Sequence, residues 1–218
     1  MSEWFIWQLA DSAFPAGSFA HSCGLEAAWQ AGEVRDVDGL RQFVRDVIWQ
    51  AGRGSLPLLT AAHRMPARLD ELDALADVFL TNPVANRASR VQGRAFLATC
   101  ARIWPRRELR ELEVKLPDRA GHCAPIIGAV LRHVDVPLPL AQRLFLYNTA
   151  RGVLAAAVRL GVTGTYQAQR LQFECGGVLD AVLDACAALD ERDLAQTAPI
   201  VDLWQASHDR LYSRLFQS

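Results

Sequence analysis

The segment Gln8–Trp29 reads Gln-Leu-Ala-Asp-Ser-Ala-Phe-Pro-Ala-Gly-Ser-Phe-Ala-His-Ser-Cys-Gly-Leu-Glu-Ala-Ala-Trp and sets how the first part of the chain folds. It begins within an apolar run, Trp4–Ala10, that is typical of a short helix. Pro15 and Gly17 then end the helical pattern, because both residue types favour loops. A second helix is predicted from about His21 to Ala31. The chain is therefore expected to start as helix, loop and helix.

This loop carries apolar side chains, Phe14, Phe19 and Ala20, among its polar residues. Apolar side chains gain free energy by leaving water. A loop of this composition is therefore expected to be pinned against a core or against a partner. An ordinary buried connection between two helices would have the same pattern, and both interpretations stay open here.

Apolar residues at helical spacing continue through the rest of the chain. Asp36 or Asp38 can cap the helix that follows, and Asn82-Pro83 separates two others. No alternating strand pattern, repeat or linker interrupts them. The sequence thus predicts an all-α protein, with one compact domain of about ten helices over residues 1–218. The predicted helices beyond the opening segment lie around 40–48, 57–64, 69–79, 84–104, 106–116, 125–133, 139–160, 165–189 and 193–216.

Composition excludes several classes of protein. Hydrophobic residues make up 51% and charged residues 22%, which is typical of a globular domain. A net charge of -1 argues against nucleic acid or an anionic membrane as the main ligand. No run approaches the roughly 20 apolar residues of a membrane span, and no basic, signal-like start is present. Five scattered cysteines fit reduced thiols, so a cytoplasmic protein is expected.

Common catalytic motifs are absent from the sequence. It contains no phosphate-binding glycine loop ending in Lys-Ser or Lys-Thr, no Gly-x-Ser-x-Gly, no His-Glu-x-x-His and no Cys-x-x-Cys. Lys115 is the only lysine, which disfavours Schiff-base chemistry. These absences argue against an enzyme.

Histidine and cysteine come close together twice, in His21-Ser22-Cys23 and in His122-Cys123. Either pair could bind a soft metal or form a nucleophile with its base. Neither has the four-ligand spacing of a structural zinc site. Buried structural histidines and thiols would look the same.

Arginines and a tyrosine form two further candidate surfaces. Arg87, Arg90 and Arg94 recur at spacings of three and four, so they share a helix face that could bind a carboxylate or phosphate, or be solvated. Arg143 and Tyr147 share another face, and both residue types are common in binding hot spots.

The final stretch runs from His208 to Ser218 and contains Arg214-Leu215-Phe216. Terminal residues fray unless they are docked. Its aromatic and apolar content therefore indicates docking, either onto the chain's own fold or onto a partner.

Five stretches of the sequence, in order over nearly the whole chain, resemble the urease accessory protein UreF family. The opening stretch carries the strongest similarity. The stretches are Gln8 to Glu26 with Gly32 and Val34; Asn86-Arg87-Ala88-Ser89 with Gln92-Gly93-Arg94; His122 with Pro125 and Gly128; Leu146-Tyr147 through Ala156-Ala157-Val158-Arg159-Leu160; and His208 with Leu211-Tyr212-Ser213-Arg214-Leu215-Phe216.

The resemblance implies an all-helical scaffold without catalytic or metal-binding residues of its own. Members of this family dimerise, bind the accessory protein UreD (UreH in some species) and through it recruit the GTPase UreG. The assembly delivers nickel to urease apoprotein. No cofactor is implied for this chain, because nickel and GTP are handled by the partner proteins.

The resemblance also implies which residues bind partners. Arg143 and Tyr147 match the face implicated in binding the GTPase. A second group matches the opening motif and the C-terminal segment that UreD/UreH orders. Its members are Phe19, His21, Glu26, His208, Tyr212, Arg214 and Phe216. Cys23 departs from the family pattern, as does Gly164-Thr165-Tyr166-Gln167, and no role in nickel handling carries over to Cys23.

Two other hypotheses remain. One is a small helical hydrolase that uses Cys23 or Cys123 with a histidine. The other is a protein that binds nickel directly through the His/Cys pairs.

Overall fold

The computed structural model of the chain describes residues 4–218. This part contains twelve α-helices and no β-strand, so the all-α prediction is confirmed. The helices are α1 Trp4–Ala10, α2 Leu25–Gln30, α3 Val37–Gly54, α4 Leu56–Arg64, α5 Leu69–Phe79, α6 Pro83–Ile103, α7 Arg107–Lys115, α8 Cys123–His133, α9 Leu138–Arg159, α10 Thr165–Glu174, α11 Gly176–Cys186 and α12 Pro199–Ser207.

Capping residues in the sequence determine where two of the helices begin. The Asp36 side chain accepts a hydrogen bond of 2.8 Å from the Gly39 amide at the start of α3. The Asn82 side chain accepts one of 3.0 Å from the Val84 amide at the start of α6. These bonds satisfy amides that have no partner within the helix, and so they fix where each helix begins.

The core is one continuous cluster of apolar side chains, centred where α4, α8 and α9 meet. Leu59, Ile126 and Leu146 are among its fully buried members. α8 packs against both α4 and α6. Its Gly128 lies so close to α4 that an added Cβ would be 2.3 Å from the Leu59 carbonyl oxygen. This single core supports the prediction of one compact domain.

Three predicted helices differ from the observed ones. The helix predicted from His21 begins only at Leu25, because Cys23 and Gly24 adopt positive φ angles of 55° and 86°. The segment 165–189 divides at Cys175 into α10 and α11, beside the glycines that predicted a kink.

The third difference concerns the end of the chain. The prediction of one helix over 193–216 is wrong. α12 begins at Pro199 and ends at Ser207, and a short 3-10 turn, His208–Arg210, follows it. Beyond this turn the residues described are not helical, and the amides of Leu215, Phe216 and Gln217 bond to distant parts of the chain. We call residues 211–218 the C-terminal segment.

Length and hydrophobicity of the helices bear on membrane insertion. Among the described residues 4–218, no helix is both long and apolar enough to cross a bilayer.

Candidate partner-binding site

The loop between α1 and α2 is packed onto the helices behind it. Phe14 stacks on Trp104, with ring centroids 5.9 Å apart and an interplanar angle of 16°, and it also lies 6.0 Å from Phe96. The Thr99 hydroxyl donates a hydrogen bond of 2.8 Å to the Pro15 carbonyl. The interpretation of this loop as pinned against the core is therefore confirmed.

Glu26, in the first turn of α2, is the central polar group of the site. Its carboxylate accepts hydrogen bonds from the Leu215 amide at 2.6 Å and the Phe216 amide at 3.1 Å. His208 Nε2 lies 3.1 Å from the same carboxylate. A carboxylate oxygen accepts hydrogen bonds, so His208 Nε2 is the donor in this contact. Three donors from the last eleven residues therefore converge on one side chain of α2.

His21 and Ser22 hold the end of the C-terminal segment. His21 Nδ1 and the Ser218 hydroxyl share a hydrogen bond of 2.6 Å. The Ser22 amide and hydroxyl donate to the Ser218 main-chain oxygen at 2.6 and 3.0 Å. The Gln217 amide donates to the Ala20 carbonyl at 2.8 Å. The C-terminal segment is thus docked on the chain's own fold, which is one of the two predicted outcomes.

Burial sets the charge of His21. Desolvation by burial, with smaller electrostatic contributions from His208 and Arg87, lowers the pKa of His21 to about 4. The imidazole is therefore neutral at pH 7, and its bond to Ser218 is a bond between neutral groups.

Arg159, the last residue of α9, joins the loop to the C-terminal segment. Its guanidinium carbon lies 3.6 Å from the centroid of the Phe19 ring and 4.3 Å from that of Phe216. Its Nη1 also donates to the Phe19 carbonyl. Cation–π contacts of this kind hold a guanidinium in a fixed orientation. Phe216 is buried by these contacts, whereas Phe19 keeps 69% of its surface exposed.

Two charged contacts hold the turn that precedes the C-terminal segment. Arg87 on α6 pairs with Asp209 at 2.9 Å, and Arg214 reaches the same carboxylate at 3.3 Å. All three side chains are more than 40% exposed, so each pair contributes little to stability and mainly orients the turn.

The other two arginines of the α6 face also have partners within the chain. Arg90 pairs with Asp77 at 2.9 Å, and Arg94 donates to the Pro117 carbonyl at 2.8 Å. The hypothesis that this face binds an external carboxylate or phosphate therefore loses its basis, because the donors are already used internally.

The structure separates the predicted partner-binding residues into two groups. Those around Glu26 form a single cluster, in which His21, Glu26, His208 and Phe216 are buried while Phe19, Tyr212 and Arg214 are exposed. Arg143 and Tyr147 lie elsewhere on α9 and are also exposed. Arg143 is 16 residues before Arg159, which corresponds to about 24 Å along the helix axis.

The Cys23 and Cys123 thiols, together with His21, line a cavity of about 130 Å³ with mostly apolar walls. Burial raises the pKa of Cys23 to about 11 and that of Cys123 to about 12, so both are protonated at pH 7.

His122 lies between the Ser89 hydroxyl, at 3.2 Å, and the Asp77 carboxylate, at 3.3 Å. Within residues 4–218, no three His, Cys, Asp or Glu side chains are placed to hold a metal ion.

Sequence reasoning gave no role to Arg159, Asp209 or Ser218, although each anchors the site. Arg159 lies in one of the stretches that carry the family resemblance, and its residue type was the only available signal. Asp209 and Ser218 act on residues 122 and 197 positions away, and no local pattern reveals such pairs.

Comparison with known proteins places the chain in a family. A family model described as UreF matches residues 34–176, which is more than half of the chain. The chain belongs to the UreF family. It is 34% identical over 221 residues to urease accessory protein F of Oryza sativa subsp. indica, covering 99% of this chain and 85% of that protein.

Two further UreF relatives are similar over more than nine tenths of their length. Urease accessory protein F of Arabidopsis thaliana is 33% identical over 222 residues, covering 99% of this chain and 92% of the relative. Urease accessory protein UreF of Ruegeria pomeroyi is 28% identical over 223 residues, covering 100% and 95%. The family model includes Arg143 and Tyr147, and the similarities over nearly the whole chain extend to the Glu26 cluster.

Proposed function

We propose that this UreF-family chain is a urease accessory (nickel-insertion) scaffold that is not itself an enzyme. With UreD/UreH it recruits and regulates the GTPase UreG, so that nickel is delivered to urease apoprotein. The chain acts in the cytoplasm as a homodimer within that complex, and nickel and GTP are handled by its partners. The names of its relatives, which share nearly their full length with it, support this function.

The observation that carries the proposal is the separation of two exposed surfaces rich in hot-spot residue types. One surface, around Tyr212 and Arg214, lies on the docked C-terminal segment. The other, Arg143 with Tyr147, lies near the middle of α9. A scaffold needs two such surfaces to hold two proteins at once, whereas an enzyme needs one convergent site.

The first surface is assigned to UreD/UreH. Tyr212 is fully exposed, although the Ser213 carbonyl next to it accepts a hydrogen bond from Gln30 and the Leu215 amide donates one to Glu26. Its side chain is therefore presented at low entropic cost, because the backbone under it is already ordered. The exposed Leu215 adds apolar area next to it.

The second surface is assigned to the GTPase. Within residues 4–218, no hydrogen bond or ion pair engages the Arg143 side chain. A groove of about 340 Å³ runs beside Tyr147 between α9 and α10. Arginine and tyrosine are both enriched in protein interfaces, so this exposed pair, four residues apart on one helix, suits a protein partner.

Co-expression with the UreD/UreH and UreG homologues, followed by size-exclusion chromatography with light scattering, tests the proposal. A complex that contains all three proteins is expected, and the chain on its own should activate no GTP hydrolysis without UreG. If the three proteins elute separately at micromolar concentration, the scaffold function is rejected.

The hydrolase hypothesis retains one observation, the cavity that Cys23, Cys123 and His21 share. Protonated, buried thiols are poor nucleophiles, which weighs against it. A C23A/C123A double variant that still supports urease activation would eliminate it. Equilibrium dialysis of the purified chain against micromolar nickel tests the hypothesis of direct metal binding. That hypothesis requires about one nickel ion bound per chain.

A further inference from the structure

We propose that Arg159 is a partner-binding residue: its guanidinium, held between Phe19 and Phe216, binds a carboxylate of a partner protein whose neighbouring side chains are apolar. This inference rests on the proposed function, in which the surface around the C-terminal segment binds another protein. It adds a residue and a chemical specificity that the family resemblance does not supply.

The first argument is the fixed orientation of the guanidinium. One aromatic ring lies at 3.6 Å and the other at 4.3 Å, and the Nη1 donates to the Phe19 carbonyl. The side chain therefore has little rotational freedom left to lose. A guanidinium ordered in this way binds a carboxylate at a lower entropic cost than a mobile surface arginine.

The second argument is the charge of Arg159. Among residues 4–218, no carboxylate lies within 4.0 Å of its nitrogens. The nearby Arg87 and Arg214 differ, since both are paired with Asp209. The Nε and Nη2 of Arg159 make no hydrogen bond within the described chain, and the residue is partly exposed. One edge of the guanidinium is therefore available for a two-point contact with a carboxylate.

The third argument is the exposed apolar surface beside the guanidinium and the C-terminal segment. Phe19 is 69% exposed and Leu215 is 53% exposed, and both adjoin residues that anchor the site. Apolar side chains on a partner would cover them and exclude water from the ion pair. An arginine–carboxylate contact surrounded by an apolar rim is typical of an interface hot spot.

Binding of the purified UreD/UreH homologue, measured by calorimetry, tests the proposal through three variants. Arg159→Met keeps the length and apolar character of the side chain and should weaken binding at least tenfold. Arg159→Lys keeps the charge without the planar fork and should restore only part of the affinity. Arg119→Met, at an exposed arginine without an ion pair in the described chain, is the matched control and should bind as the unchanged chain does.

Hydrogen exchange separates a binding role from a structural one. The Leu215 and Phe216 amides should stay as protected in the Arg159→Met chain as in the unchanged chain, because Glu26 holds them. If they exchange at least tenfold faster and affinity falls with them, Arg159 only holds the segment and the proposal is overturned. Unchanged affinity of the Arg159→Met chain overturns it as well.

Two further arms cover the remaining outcomes. If the unchanged chain does not bind UreD/UreH, the proposed function fails, and the tripeptide acetyl-Leu-Glu-Phe-amide then serves as the probe. This peptide at millimolar concentration should shift the Arg159 Nε–H resonance, whereas acetyl-Leu-Gln-Phe-amide should not, and equal responses overturn the inference. If Arg159→Met converts a dimer of the chain alone into a monomer, a second copy is the occupant and the assignment to another protein is wrong.

Discussion

The Glu26 carboxylate lies 3.1 Å from the Nε2 of His208, and both side chains are buried although 182 residues separate them. No lysine or arginine within residues 4–218 pairs with Glu26. Its carboxylate oxygens are instead bonded by His208 Nε2 and by the amides of Leu215 and Phe216. A buried carboxylate without such donors would be costly, so the folded state of α2 and the docking of the C-terminal segment are energetically coupled.

Replacing Glu26 should therefore release the C-terminal segment. In Glu26→Ala, three donors lose their acceptor and two of them are buried, which should lower the free energy of unfolding by about 2–4 kcal/mol. The Leu215 and Phe216 amides should exchange at least tenfold faster, as measured by hydrogen exchange with NMR detection.

Two variants make the Glu26 result specific. Glu26→Gln keeps one acceptor oxygen and should restore part of the protection, while Glu33→Gln changes an exposed carboxylate and should have no effect. Equal protection in all of these chains would show that the carboxylate does not hold the segment.

The two exposed surfaces should respond to mutation independently. Tyr212→Ala removes a fully exposed side chain, so the fold should be unaffected while affinity for UreD/UreH falls about fivefold or more. Arg143→Ala should instead weaken recruitment of the GTPase. Pairwise pull-downs measure both effects, with Tyr166→Ala, an exposed tyrosine on α10, as control. The reverse pattern of losses would refute the assignment of the two surfaces.

Helix positions were predictable because they depend on local chemistry. The segment predicted over 84–104 is observed as α6, Pro83–Ile103, since Asn82 caps its start and Pro105 follows its end. The chain after Ser207 was not predictable in the same way. Its apolar spacing favours a helix. The amides of Leu215 and Phe216 instead donate hydrogen bonds to Glu26, which lies far away in the sequence.

The candidate site was also predictable only in part. The sequence identified which residue types were suited to binding, but it could not determine which of them are buried. His21 and Glu26 came from the resemblance as partner-binding residues, and the fold places both beneath the C-terminal segment. In this chain they support the surface from inside, and the exposed Phe19 and Tyr212 form its outer part.

Acid should destabilise the protein through His21. Its pKa is about 4 in the folded state against 6.5 for the free side chain. Below pH 6.5 the unfolded chain therefore binds a proton that the folded chain does not, and stability falls until the pH reaches about 4. Because one pKa unit corresponds to about 1.4 kcal/mol, His21 alone should account for roughly 3 kcal/mol of this loss.

Urea denaturation between pH 7.5 and 4 measures the contribution of His21. The His21→Gln chain cannot titrate at this position, so its stability should decline less steeply with falling pH than that of the unchanged chain. Burial also lowers the pKa of His63 and His122, so some decline should persist in the variant. Parallel curves for the two chains would contradict the burial argument for His21.

Glycine substitutions should reveal how tightly α8 packs against α4. A Cβ at Gly128 would lie 2.3 Å from the Leu59 carbonyl oxygen, a main-chain atom that cannot move without shifting α4. Gly128→Ala should therefore lower the free energy of unfolding by about 3 kcal/mol or more, the upper end of overpacking costs.

Gly152 on α9 is the matched control, since a Cβ there meets no atom within 4 Å. Gly152→Ala should raise stability by about 0.5–1 kcal/mol through its better helix propensity. Thermal and urea unfolding of both variants measure the difference, and a Gly128→Ala chain as stable as the unchanged one would show that the two helices can separate without cost.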